Sequence, residues 1–289
     1  MSRLLKSFLF KISKDVTFRV TLIIGGGMAL LLTLVLAGAQ YGLMALDEGL
    51  GDDFPISFIS GQGMLLLSLN PAQNFAIAVP ITLVIFICLE FTQGAIRNKI
   101  IAGHSKFKIF ASLYLSGLLY GFALIISYAA VCTLLGTIFG GFDLSKIAFT
   151  LSGAAVITPE YLLKAALIAV LTYTSIVAFA VFVAALFRSI GPCIPVVFIV
   201  LMLLSTAPTL INAIGALSDG RFQWLVNTLR IVDPLYALCV METAVDSEAA
   251  VGTAVMSNFT FFSAIGSNIV YAALFFGFGG LIFSKRDVK

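Results

Sequence analysis

Six apolar runs divide this chain, each near or above the roughly 20 residues that carry a helix across a hydrocarbon core. They cover 20–42, 75–91, 109–139, 161–187, 192–216 and 261–283. The runs are continuous, not alternating. In lipid, where backbone polar groups find no water, that pattern calls for helices and argues against a barrel. A soluble core could not absorb so much apolar chain. Of 289 residues, 60% are hydrophobic and 11% charged, whereas about a quarter of a soluble domain is charged. The expected fold is an all-α integral membrane domain, a single unit over 1–289 with six transmembrane helices. The third run exceeds what a bilayer needs and is expected to tilt or to project into the cytoplasm. The second is short and carries Pro80, which predicts a kink.

Charge sets the expected orientation. With both termini cytoplasmic, the inner segments hold Arg3, Lys6, Lys11, Lys14, Arg19, Arg97, Lys99, Lys106, Lys108, Arg188, Lys285, Arg286 and Lys289. The outer segments hold only Lys146, Lys164, Arg221 and Arg230. Basic residues stay on the cytoplasmic side, so an even number of spans and inner termini agree, in a multi-pass protein of the plasma membrane. Asp47, Glu48, Asp52, Asp53, Asp143, Glu160, Asp219, Asp233, Glu242, Asp246 and Glu248 all fall outside on this assignment. The net charge of +3 conceals the polarisation and gives no reason to expect a nucleic-acid partner.

Residues 1–19 set Leu4, Leu5, Phe8, Leu9 and Ile12 among Lys6, Lys11 and Lys14. That mixture fits a helix lying in the inner interface, with bases at the headgroups, better than a cleaved signal peptide. The outer segment 217–260 carries an apolar stripe through Phe222, Trp224, Leu225, Leu229, Ile231, Leu235 and Tyr236, broken at Asp233-Pro234. It reads as a lid capping the bundle.

Signals of catalysis are missing. Cys88, Cys132, Cys193 and Cys239 have no paired spacing, and the lone His104 has no nearby carboxylate pair, so neither a metal nor a redox site is expected. No phosphate-binding loop is present either. The expectation is a chain that is not an enzyme and holds no cofactor. The spans are nearly free of charge, whereas ion-coupled transporters place ionisable groups near the midplane. Any energy source is then expected to come from another polypeptide. Gly117-x-x-x-Gly121, Gly136-x-x-x-Gly140 and Ala180-x-x-x-Ala184 are spacings that let helix backbones approach closely within one bundle.

Between the second and third runs lies a compact basic island, 92–108. Gln93, Arg97, Lys99 and Ser105 interrupt Ala95, Ile96, Ile100 and Ile101 in a helical rhythm, and Gly94 and Gly103 bracket it. A short helix parallel to the membrane would put Ile100 and Ile101 on one side and Arg97 and Lys99 on its edges. An ordinary topology-setting loop would explain the charge but not this ordered arrangement.

The stretch Glu90, Gly94, Ile96, Arg97, Asn98, Lys99, Ile100, Gly103, Ser105 and Lys106 resembles the first cytoplasmic loop of the ABC type-2 permease family. The terminus Phe283-Ser-Lys-Arg-Asp-Val-Lys289, the six spans and the N-terminal amphipathic segment resemble that family too. The resemblance implies that this loop is a coupling helix seated in a groove of a cytoplasmic ATPase. Arg97, Asn98, Lys99, His104 and Ser105 would contact that ATPase, and Glu90 would hold the loop's entry. Gly94, Gly103 and Lys106 complete the matched set. ATP and Mg would sit on an ATPase dimer, not on this chain, and a second permease subunit, identical or homologous, would supply the other half of the pathway. The resemblance further implies export of a hydrophobic or amphipathic solute such as a peptide, an antimicrobial or a drug-like molecule. Tyr114, Tyr120, Tyr128, Thr172, Tyr173 and Thr174 in the spans suit such a solute better than a sugar. An ATPase-independent secondary transporter or channel is the alternative, and a membrane scaffold a third reading.

Overall fold

The computed structural model describes residues 10, 14, 16–46, 56–57, 59–70, 77–144, 147–150, 153–217, 221–244 and 252–285. The expected interfacial helix, the acids of 47–53 and the terminal 286–289 lie almost wholly outside these residues. In chain order the elements are α1 (Val16–Leu46), β1 (Ile56–Ser57), α2 (Gly61–Leu69), α3 (Ala78–Thr92), α4 (Ala95–Ile101), α5 (Lys106–Gly140), β2 (Ile147–Thr150), β3 (Gly153–Ile157), α6 (Pro159–Phe187), α7 (Ile190–Leu217), α8 (Gln223–Val232), α9 (Tyr236–Cys239), β4 (Glu242–Ala244), β5 (Thr253–Val255) and α10 (Asn258–Lys285).

Among the described residues, α1, α5, α6, α7 and α10 are long and apolar enough to cross a membrane. The bent pair α3 and α4 makes a sixth if counted as one. The chain is thus a helical, multi-pass membrane protein. Large apolar side chains such as Ile23, Leu31, Val35, Leu163 and Leu203 are exposed on these helices. Such surface is at home in lipid and costly in water.

The interior is built around α6, which packs against α3, α5, α7 and α10. Small residues set the spacing. A Cβ added to Gly117 would lie 3.2 Å from Val177, and one on Gly121 would lie 3.5 Å from it, so this pair seats α5 on α6. The other glycine pair works at the far end of α5, where a Cβ on Gly136 would meet Ser60 O at 2.9 Å and Met64 Cγ at 2.7 Å. The 35 residues of α5 exceed a bilayer's need because its last turns carry α2. Ser60 caps α2 by accepting from Gly63 N at 3.2 Å.

Pro80 produces no kink. It is the third residue of α3, inside the first turn, where a missing N–H breaks no intrahelical bond. The bend comes later: α3 and α4 meet at 53°, across Gln93 and Gly94.

The helical expectation does not anticipate a five-stranded sheet that gathers three connecting segments at one end, in the order β1-β2-β3-β5-β4. The β2–β3 pair is antiparallel, with Ala148 opposite Ala155, and β3 runs parallel to β5, with Ile157 opposite Ala254. Ala148, Ala155, Ile157 and Ala254 are buried against Tyr161, Ile168 and Met256, a small core separate from the main one. The opposite end carries Arg97, Lys99, Lys106, Lys108, Arg188 and Lys285, and these are referred to below as the sheet end and the basic end.

Candidate functional site

The basic end is organised around α4. Helix α3 stops where Gly94 takes φ +68°, a left-handed conformation that glycine adopts without steric cost. Seven residues later the chain turns again. Ala102 N donates to Asn98 O at 3.0 Å, Gly103 N to Ile100 O at 2.9 Å, and Gly103 has φ +84°. His104 is half-buried, with its backbone N–H on Lys99 O at 3.3 Å. Ser105 is exposed and extended, and its carbonyl receives Ile109 N at 3.1 Å as α5 begins.

The bend resets the helical phase, and this decides which residues face the bundle. Ile96 is fully buried and Ile100, one turn on, packs against the core, while Ile101 is 74% exposed. The expected pairing of Ile100 with Ile101 on one side is therefore replaced by Ile96 with Ile100, the i,i+4 pair of a single face. Arg97 and Asn98 are exposed on the other face. Among the described residues Arg97 makes no hydrogen bond or ion pair.

Lys99 is differently placed. Its Nζ lies 2.8 Å from Glu90 Oε2, with the carboxylate side chain 1% exposed and the Lys99 side chain 17%. A buried carboxylate is costly unless paired, so this bond fixes the angle between α3 and α4. Glu90 holds the loop's entry, as the resemblance implies, and it does so through Lys99.

The end of α10 braces the same loop. Phe283 is fully buried, with its ring 6.0 Å from that of Phe91 and 5.8 Å from that of Phe110. Lys106 Nζ donates to Ser284 O at 3.2 Å. A basic side chain at a helix C-terminus also meets the negative end of the helix dipole. The nine residues matched to the permease loop thus sit on one continuous bend, but in different roles. Glu90, Lys99 and Lys106 hold it, Gly94 and Gly103 turn it, and Arg97, Asn98 and Ser105 are presented outward.

A family model described as "Protein of unknown function (DUF2705)" matches residues 33–289. The chain belongs to that family. No curated protein and no solved structure matches it. The span that defines the family includes the basic loop, its brace on α10 and the sheet, so all three are properties of a member and not of an appended segment.

A second polar feature lies toward the sheet end and was not legible as such in the sequence. Asp233, grouped there with the outer acids, is 3% exposed. Helices α8 and α9 form a hairpin with its break at Asp233-Pro234, and the break is drawn into the bundle. Pro234 O accepts from Asn268 Nδ2 at 3.1 Å and from Thr172 Oγ1 at 3.4 Å. Thr172 stands roughly 20 Å along α6 from Pro159, near the middle of that helix. Ser175 Oγ donates to Asn268 Oδ1 at 2.8 Å. Asp233 Oδ1 accepts from Leu235 N at 2.8 Å. Burial pushes its carboxyl up to about 7. Burial likewise pushes the Cys239 thiol up to about 12, with the Asp233 charge adding to the effect.

The four cysteines are buried and unbonded, and no cluster of three or more metal-ligating side chains occurs among the described residues. Cys88 Sγ and Cys193 Sγ approach to 3.6 Å, a proximity of α3 and α7 that their sequence separation conceals.

Proposed function

We propose that this chain is the membrane subunit of an ATP-driven exporter, with α4 as the element that docks a separate cytoplasmic ATPase. The carrying observation is the Glu90–Lys99 ion pair across the α3–α4 bend. A loop that only anchors topology needs charge. It does not need a buried carboxylate, two left-handed glycines and a helix end to hold seven residues at a fixed angle. The outcome of that bracing is a rigid, outward-facing surface of Arg97, Asn98 and Ile101, mixed cationic and apolar as protein-docking surfaces are.

On this reading the basic end is cytoplasmic and both termini lie there. ATP and Mg belong to an ATPase dimer, and a second permease subunit completes the pathway. Closure of the ATPases would push on α4. Lys99 passes that displacement to α3 through Glu90, and Lys106, Phe107 and Phe110 pass it to α10. A Cβ on Gly279 would lie 2.6 Å from Phe110 Cζ, which shows how tightly α5 and α10 are locked at this level. The long helix α10 then reaches Asn268 and the Asp233-Pro234 break. The solute would be hydrophobic or amphipathic.

The test is affinity purification of the tagged chain from its native membranes in a mild detergent. A stoichiometric ATPase bearing a phosphate-binding loop supports the docking role, and its absence removes it. Burial of Asp233 favours a second reading, an ion-coupled transporter that uses no ATPase. Solute movement driven by a pH gradient in vesicles holding the purified chain alone would establish that one instead.

A further inference from the structure

A cavity of about 170 Å³ lies between α6, α7 and α10, beside the α8–α9 break. Its walls are mostly apolar, with Phe179, Leu201 and Phe275 among them, and its polar rim is Ser175 and Tyr271. Pro234 forms one wall, so Asp233 stands one residue behind it. The Asp233 carboxylate is near enough to act electrostatically on Tyr271, which lines the cavity. A space of this size accommodates a benzene-sized ring, since an apolar cavity of about 150 Å³ does so.

The surroundings of Asp233 decide what it could hold. On its own helix, Arg230 is directed over the Tyr236 ring at 5.6 Å. From α9 it faces Tyr236 and Cys239, from α10 Asn268 and Tyr271, and from α6 Thr172 and Ser175. None of these supplies a positive charge, and among the described residues no Lys, Arg or His pairs with the carboxylate. An acid buried with one backbone donor and no cation leaves a place for one.

We propose that Asp233 and this cavity form a binding site for a protonated amine carried on a small aromatic or branched apolar body. The apolar part fills the cavity and the ammonium reaches past Tyr271 and Pro234 to the carboxylate. For its biological meaning this rests on the export reading, whose solute class it narrows from amphipathic to amphipathic and cationic. Binding itself needs no ATPase.

The test uses the purified full-length chain in nanodiscs, without ATPase, titrated calorimetrically with phenethylamine and with its neutral counterpart 2-phenylethanol. Phenethylamine is expected to bind at least about tenfold more tightly at pH 8, the value of one charge-assisted contact. That preference should shrink about tenfold as pH falls from about 8 to about 6, because the carboxylate must be ionised to pair. Asp233→Asn retains the oxygen that receives Leu235 N. It should keep its melting temperature and its affinity for 2-phenylethanol while losing the preference for the amine. Equal binding of the two probes, or an unchanged preference in Asp233→Asn, overturns the site. Because no ATPase is present, such a failure leaves the docking role of α4 untouched, just as failure to recover an ATPase from membranes leaves an observed amine site standing.

Discussion

Lys99 Nζ reaches back nine residues to Glu90 Oε2 at 2.8 Å and closes the 53° angle between α3 and α4. The pair divides a cationic loop into charges that hold its shape and charges that are presented. Lys99→Met should destabilise the solubilised protein by about 2–3 kcal/mol, because Glu90 is left buried and unpaired. The figure sits below the fully buried range since Lys99 keeps some solvent contact. Arg97→Met, at an exposed position, should change stability by less than about 0.5 kcal/mol. Thermal unfolding in detergent distinguishes the two, and equal effects would show that the ion pair does not set the loop.

The two turns of the loop are conformational and not packed. Nothing lies within 4 Å of a Cβ built on Gly94 or Gly103, yet both have φ well into the left-handed region. Gly94→Ala and Gly103→Ala should each cost about 1 kcal/mol from backbone strain alone. Gly94→Asn should cost less, since Asn tolerates this conformation. Melting temperatures of the three variants check the order.

Gly136 is the opposite case. Its φ is helical, but an added methyl would strike Ser60 O and Met64. Gly136→Ala should cost about 1–3 kcal/mol through overpacking of α2 against α5. It should also loosen the sheet end, which hydrogen exchange in the residues of α2 would register.

The spans were legible because their composition, without any periodicity, is enough to require helices in lipid. The sheet was not, because strands of two to five residues in segments far apart in sequence carry no pattern of their own. Within the basic loop, the residues were recognisable but their division of labour was not. Lys99 and Arg97 look equivalent in a linear reading, and only the bend at Gly94 turns one inward to Glu90. That bend also broke the helical phase, so Ile101 was paired with Ile100 when Ile96 is the buried partner. Asp233 was grouped with solvated acids because an acid beside a proline in a loop normally is one. Hydrogen bonds from Asn268 and Thr172 to the next carbonyl draw it inside instead.

Asp233 gives the fold a pH dependence of definite sign. Its carboxyl titrates near 7 when folded against 3.8 as the model value. Between those two values the folded chain holds a proton that the unfolded chain has lost. Stability contributed by this group is therefore fully present below about 4, declines as pH rises toward 7, and is flat above it. The slope is at most about 1.4 kcal/mol per pH unit. Subtracting the melting curve of Asp233→Asn from that of the parent across this range should isolate the decline, and parallel curves would show that the group is not buried as described.

The most direct measurement of the docking role is recovery of an ATPase with Arg97→Glu, compared with the parent chain, from the same membranes. Arg97 is exposed and has no partner among the described residues, so reversal should leave insertion and melting temperature unchanged. ATPase recovery and ATP-driven solute export should both fall by about tenfold or more, as reversal of an interface charge demands. Undiminished recovery and export with Arg97→Glu would contradict the assignment of α4 as the docking helix.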